Sequence, residues 1–147
     1  MRSIDTNILV YAQNIDCAEH KDAFRFILEC GQQKDIVICE LVLVELYILL
    51  RNPAVLSKPL SAQSAASVCL QYRRNPYWRL VENAPVMANV WEFVSNNKLG
   101  RRHIFDSRLA LTLRHHGVSE FATANTKDFQ YFGFNRVWNP ITKTKRA

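Results

Sequence analysis

Three carboxylates, Asp5, Glu45 and Asp106, stand at places in the chain where an acid needs an explanation. Asp5 closes a short N-terminal run, Arg2 to Asp5, that reads as a first strand. In parallel α/β sheets, ligand sites lie beyond the carboxyl ends of strands, although an Asp there can equally cap the helix that follows. Glu45 sits inside Leu41-Val42-Leu43-Val44-Glu45-Leu46-Tyr47-Ile48-Leu49-Leu50. Such neighbours predict a partly buried carboxylate, and a buried charge requires a partner, either an Arg or Lys or a divalent cation. Asp106 falls in the first turn of a helix, where the dipole also favours acids. Asp128, in Asn125-Thr126-Lys127-Asp128-Phe129, follows a later strand and reads equally as a turn former.

Taken together, the acids suggest one site. Hard divalent ions take oxygen ligands, and catalytic Mg²⁺ is held by a few carboxylates completed by water and phosphate. Acids delivered by a strand end, an apolar helix and a later helix can meet in one pocket and serve displacement at phosphorus. Arg101, Arg102, His103 and Arg108 flank Asp106, as expected where an acidic site must receive an anion. Arg73-Arg74 is a second basic cluster and reads as a solvated face. Thr6 and Asn7 follow Asp5 directly, either supporting it or touching substrate, or serving only as turn residues.

The elements that must carry these residues alternate. After the first strand, Thr6-Asn7 turns the chain and a helix starts at Ile8. Ala18 to Cys30 has the apolar spacing of an amphipathic helix, with Gly31 at its C′ position. Asp35 to Cys39 reads as a buried strand and Glu40 to Leu50 as a buried helix stopped by Asn52-Pro53. A helix over Ser61 to Arg73 opens on a capping serine. Trp78 to Val81, Glu120 to Ala124 and Arg136 to Trp138 are the remaining strands. Pro85 to Asn96 and His103 to His116 are the remaining helices, the last stopped by Gly117. Trp78, Trp91, Trp138, Phe24 and Phe26 fall on core-like positions. Alternating strands and helices predict an α/β layer fold with a mostly parallel central sheet. The whole chain reads as one domain, with Lys143 to Ala147 as a short frayed tail.

Bulk properties agree. The 147 residues are 48% hydrophobic, enough for a core without disulfides. The net charge of +6 favours a polyanionic partner. Cys17, Cys30, Cys39 and Cys69 form no Cys-x-x-Cys pair and, with the four histidines, no zinc pattern. Scattered thiols suit a cytoplasmic protein, and the apolar stretch Ile8 to Ala12 is too short for a signal peptide core or a membrane span.

Four segments taken in order add a family resemblance. Ile4-Asp5-Thr6-Asn7-Ile8-Leu9-Val10-Tyr11-Ala12, Leu43-Val44-Glu45-Leu46, Asp106-Ser107-Arg108-Leu109-Ala110 and Ala122-Thr123-Ala124-Asn125-Thr126-Lys127-Asp128-Phe129 resemble the motifs of the PIN-domain family. Arg51-Asn52-Pro53, Pro59-Leu60-Ser61 and Trp138-Asn139-Pro140 further resemble its VapC-type members, the toxins of VapBC toxin–antitoxin pairs. The resemblance implies a PIN-like three-layer fold and an endoribonuclease that hydrolyses RNA with metal-activated water. It implies one or two Mg²⁺ or Mn²⁺ ions held by Asp5, Glu45 and Asp106. It also implies a small VapB-like antitoxin as partner, and a homodimer. The family often has a fourth acid in a Thr-x-Asp motif. Here that position reads Asn125, a neutral oxygen donor, with Asp128 three residues on, so either could complete the site.

Three other readings stay open. A haloacid-dehalogenase-type phosphatase also has an Asp after strand one, but its acid/base Asp would stand at Asn7, which cannot act as a general acid. A non-catalytic PIN module binding RNA or protein, and a stand-alone RNA-processing nuclease, are the others.

Overall fold

The computed structural model describes residues 1–96 and 98–141. The expected tail, Lys143 to Ala147, lies outside the described residues. β1 (Arg2–Ile4) leads into α1 (Thr6–Gln13) and α2 (His20–Cys30). β2 (Ile36–Cys39) leads into α3 (Glu40–Leu50) and α4 (Ala62–Arg73). β3 (Arg79–Val81) leads into α5 (Met87–Asn96) and α6 (His103–His115). β4 (Glu120–Ala122) passes through a 3₁₀ turn, Thr126–Phe129, to β5 (Arg136–Trp138).

Every strand pair is parallel, in the order β3-β2-β1-β4-β5. The middle of the sheet is apolar on both faces: Ile36, Val37, Ile38, Cys39, Ile4 and Phe121 are all buried. That is the pattern of a parallel sheet covered twice. The chain steps outward from β1 to β2 to β3, then crosses back to place β4 on the other side of β1. With right-handed crossovers, this reversal puts α1–α4 over one face and α5–α6 over the other. The crevice between the carboxyl ends of β1 and β4 is where such sheets bind ligands.

Local signals account for several boundaries. Ser61 caps α4, its hydroxyl accepting from the Ser64 N–H at 3.1 Å. α6 ends in a Schellman arrangement: Gly117 takes φ +86°, its N–H donates to the Arg114 carbonyl, and the Val118 N–H donates to that of Leu113. Gly31 departs from the expectation of a left-handed cap, since its φ is −57°. A Cβ there would stand 3.2 Å from the Leu28 carbonyl, so close approach is what favours glycine. α1 begins at Thr6, so Thr6 and Asn7 lie in its first turn and not in a separate turn. Pro85 precedes α5, which starts at Met87.

Of the aromatics expected in the core, Trp78 is buried, with its indole N–H donating to the Cys30 carbonyl at 2.8 Å. Phe26 and Trp138 are half-buried and meet edge to face. Phe24 and Trp91 are instead exposed. Amphipathic spacing places a residue near the boundary of the apolar stripe, but only packing decides which side is covered. Cys17, Cys30, Cys39 and Cys69 are free thiols. Among the described residues, no helix is long and apolar enough to cross a membrane.

Candidate active site

Asp5 stands at the crevice between β1 and β4, and it is both things the sequence allowed. It follows the last residue of β1 and it is the N-cap of α1, with extended backbone. Its N–H donates to the Ala122 carbonyl of β4 at 2.9 Å, which fixes it to the neighbouring strand. Oδ1 accepts from the Thr6 N–H at 2.8 Å. Oδ2 accepts from the Thr123 hydroxyl at 2.6 Å and from the Asn7 amide at 3.3 Å. Thr123 is tied in turn: its Oγ1 accepts from the Asn125 N–H at 3.0 Å, and the Asn7 Oδ1 accepts from the Ala124 N–H. Asn7 thus supports Asp5. Thr6 contributes its N–H, and its hydroxyl turns to the Val42 carbonyl.

Asp5 is buried. Loss of water raises its carboxyl from 3.8 to about 7, against the Thr123 and Thr6 hydrogen bonds that pull it down, while the negative charges of Glu45 and Asp106 push it further up. Asp106, in the first turn of α6, is raised to about 6, again mainly by burial, with His103 pulling down and Asp128 and Glu45 pushing up. The acids of four segments therefore feel one another.

They also share a cleft. One cavity of about 310 Å³ is lined by Asp5, Thr6, Glu45, Asp106, Arg102 and Arg108, among others. A second of about 310 Å³ is lined by Glu45, Asp106, Asp128, Arg102 and His103, with Gly100 and Phe105. Glu45, Arg102, Phe105 and Asp106 belong to both, so the two are lobes of one cleft.

Some expected residues fall elsewhere. Glu45 is exposed, not partly buried. α3 is apolar nearly all round, yet it buries only Val42, Leu43, Leu46 and Leu50, so Glu45 shares an open face with Val44 and Ile48. Asp128 lines the cleft, whereas Asn125 is exposed and is not among the cleft's lining residues. Arg102 and Arg108 line the cleft; Arg101 instead lines a small adjoining cavity with Val94 and Leu99, which meets the cleft at Gly100 and His103. The Arg108 Nε is buried with no hydrogen-bond partner among the described residues. Arg73 pairs with Glu40, which accounts for half of the second basic cluster.

Two residues take places that their sequence positions did not predict: Thr123 stood only as part of a family-like segment, and His103 only among the basic flank of Asp106. Thr123 holds Asp5 from 118 positions away, and only the adjacency of β1 and β4 makes that contact. His103 is buried beneath the cleft, with Nδ1 3.8 Å from the Asp106 Oδ2 and neither ring nitrogen hydrogen-bonded among the described residues. Its place three residues before an acid on a helix was the available signal.

The carboxylates of the cleft, Asp5, Glu45, Asp106 and Asp128, are hard oxygen donors of the kind that suits Mg²⁺ or Mn²⁺. Among the described residues, no three His, Cys, Asp or Glu side chains are drawn into a closed cage. The carboxylates stand around an open cleft and repel one another.

Comparison with known proteins adds to this geometry. A family profile for the PIN domain matches residues 3–135. Ribonuclease VapC24 of Mycobacterium tuberculosis, in two strains, is 59% identical over 142 residues, covering 97% of this chain and 98% of that protein. Among solved structures, M. tuberculosis VapC20, a Sarcin-Ricin loop cleaving toxin, superposes with a TM-score of 0.68 at 19% identity, covering 91% of this chain and 96% of that one. FitAcB from Neisseria gonorrhoeae gives 0.62 at 17%, covering 95% and 98%. VapBC2 from Rickettsia felis, bound to a promoter DNA fragment, gives 0.61 at 16%, covering 94% and 97%. The structural likenesses are of fold; the family profile and the 59% relative carry the assignment. The chain belongs to the PIN-domain family, within its VapC group.

Proposed function

We propose that this chain is a divalent-metal-dependent endoribonuclease, the toxin of a toxin–antitoxin pair, that hydrolyses RNA phosphodiester bonds. The observation that carries the reading is the meeting of Asp5, Glu45, Asp106 and Asp128 in one cleft, with Asp5 and Asp106 held up to about 7 and about 6 by burial and mutual repulsion. Such a site strains against its own charge until a cation enters. The name Ribonuclease VapC24, borne by a relative 59% identical over nearly the whole chain, agrees.

In this reading Asp5, Glu45 and Asp106 hold one or two Mg²⁺ or Mn²⁺ ions, and Asp128 adds the fourth carboxylate. The bound ion supplies Lewis acidity and eases ionisation of water. The chain's own residues do the rest. Thr6, Asn7 and Thr123 fix the Asp5 carboxylate by three hydrogen bonds, one from each residue. Arg102 and Arg108, which line the cleft, receive phosphate oxygens.

The partners follow from the surface. Phe24 and Leu28 on α2 are exposed, and an apolar groove of about 520 Å³ runs between α3 and α4, lined by Leu43, Tyr47, Ala66 and Leu70. These surfaces fit a small antitoxin and a second copy of the chain. Free thiols fit action in the cytoplasm.

Purified protein is incubated with total cellular RNA in Mg²⁺, Mn²⁺ or EDTA, beside Asp5→Ala and Asp106→Ala. Cuts that need a metal and vanish in both variants, with folding intact, are the expected result. Full activity in either variant, or cleavage undiminished by EDTA, would sink the assignment.

A further inference from the structure

The wall of the acid cleft carries apolar side chains that the fold leaves uncovered. Val44 and Ile48, four residues apart and so on one face of α3, are each 59% exposed. Phe105 on α6 is 53% exposed. All three line the lobe that also holds Asp5, Glu45 and Asp106; Val44 and Ile48 stand on the ridge between that lobe and the groove of α3 and α4, whereas Phe105 faces the cleft alone. Single apolar side chains at a surface need no explanation, but three gathered around one charged cleft do. Arg102 adds a cation, its guanidinium carbon 5.7 Å from the centre of the Phe105 ring. The cleft therefore offers carboxylates for a cation, arginine for a phosphate and an open aromatic face beside both. A nucleotide of a single strand has the matching parts: a phosphate and a flat apolar base.

We propose that Phe105, with Val44 and Ile48 beside it, seats an unpaired RNA base next to the phosphate held at the carboxylates, while Arg102 grips a neighbouring phosphate. The inference rests on the ribonuclease reading above and names what that site selects. Stacking on an aromatic face tolerates any base, because every base has a π-face. The seat therefore selects single-stranded over paired RNA, and does not read one base identity. A base still paired in a helix cannot leave its stack to lie on Phe105.

The test compares two fluorescein-labelled probes: an oligouridylate of about 12 nucleotides and an abasic ribose–phosphate strand of equal length, which lacks every π-face that could stack. Binding is measured in Mg²⁺ on an Asp5→Asn background, so that neither probe is cut. The complete strand should bind roughly 5- to 100-fold more tightly than the abasic one, the range that stacking of one base supplies. Phe105→Ala should bring that ratio close to one, and Phe105→Trp should restore it. Phe105 is exposed on a helix, so alanine keeps the fold, which a melting curve verifies. An unchanged ratio in Phe105→Ala overturns the seat. So does equal binding of the two probes by the parent, which would assign the apolar wall to a protein partner. A chain that cuts no RNA in the preceding assay refutes the ribonuclease reading; one that cuts RNA while Phe105→Ala keeps the parent's ratio between the two probes refutes only the seat.

Discussion

Replacing Asp5 by Asn should stabilise this protein when no divalent cation is present, and the gain should depend on pH. In the folded chain the Asp5 carboxyl rises from 3.8 to about 7, with burial as the main cause. The folded state therefore binds more protons than the unfolded state between those values, and wild-type stability falls as pH rises through that window. The full cost is present above about pH 7 and disappears near pH 4. A rise of roughly three pH units at about 1.4 kcal/mol each puts the ceiling on the order of 4 kcal/mol. The amide keeps the acceptor for the Thr6 N–H, but it replaces the 2.6 Å bond from the Thr123 hydroxyl with one that reverses donor and acceptor, and it gives up the weak 3.3 Å bond from the Asn7 amide. That exchange costs about 1 kcal/mol, leaving a gain of about 3 kcal/mol. For a chain of this size the gain corresponds to a rise of roughly 6–12 °C in Tm. Urea denaturation in EDTA at about pH 4.5 and about pH 8 would read the pH dependence of the difference directly. Addition of Mg²⁺ at the higher pH should then stabilise the wild type more than Asp5→Asn, because the ligand binds only the folded carboxylate site. A stability difference that stays flat between the two pH values would refute the reasoning, since it would mean that Asp5 carries no desolvation cost.

Thr123→Val removes the hydroxyl that holds Asp5, and cleavage should fall roughly 10- to 100-fold, with Thr123→Ser restoring most of it; steady-state rates on one RNA would show this. Arg102→Ala should lower the slope of log affinity against log salt by roughly one, whereas Arg101→Ala, facing a different cavity, should leave it nearly unchanged; fluorescence anisotropy across a salt series distinguishes them. Leu46→Ala empties a fully buried position on α3 and should cost about 2–5 kcal/mol by urea denaturation.

Much of the scaffold was legible because its signals are local. The β-branched run Ile36-Val37-Ile38, the capping Ser61 and the stop at Gly117 act within a few residues, and each appears where the sequence placed it. The alternation of elements announced a parallel α/β sheet, and the three acids were visible from where they fall in it. What the sequence could not decide depends on contacts between distant segments. Apolar neighbours around Glu45 predicted burial, but a short helix has more apolar surface than one layer contact covers, and Glu45 came out on the open side. Asp128 and Asn125 are three residues apart, and the 3₁₀ turn after β4 aims only the first into the cleft. Arg101 and Arg102 are neighbours in sequence, yet each lines a different cavity, because consecutive residues at a helix start point in different directions. The hydroxyl that positions Asp5 comes from Thr123, which the family-like segment contains but whose partner only the pairing of β1 with β4 supplies. Residue types and their order set which chemistry was available; the crossover that lays β4 beside β1 decided which side chains meet to perform it.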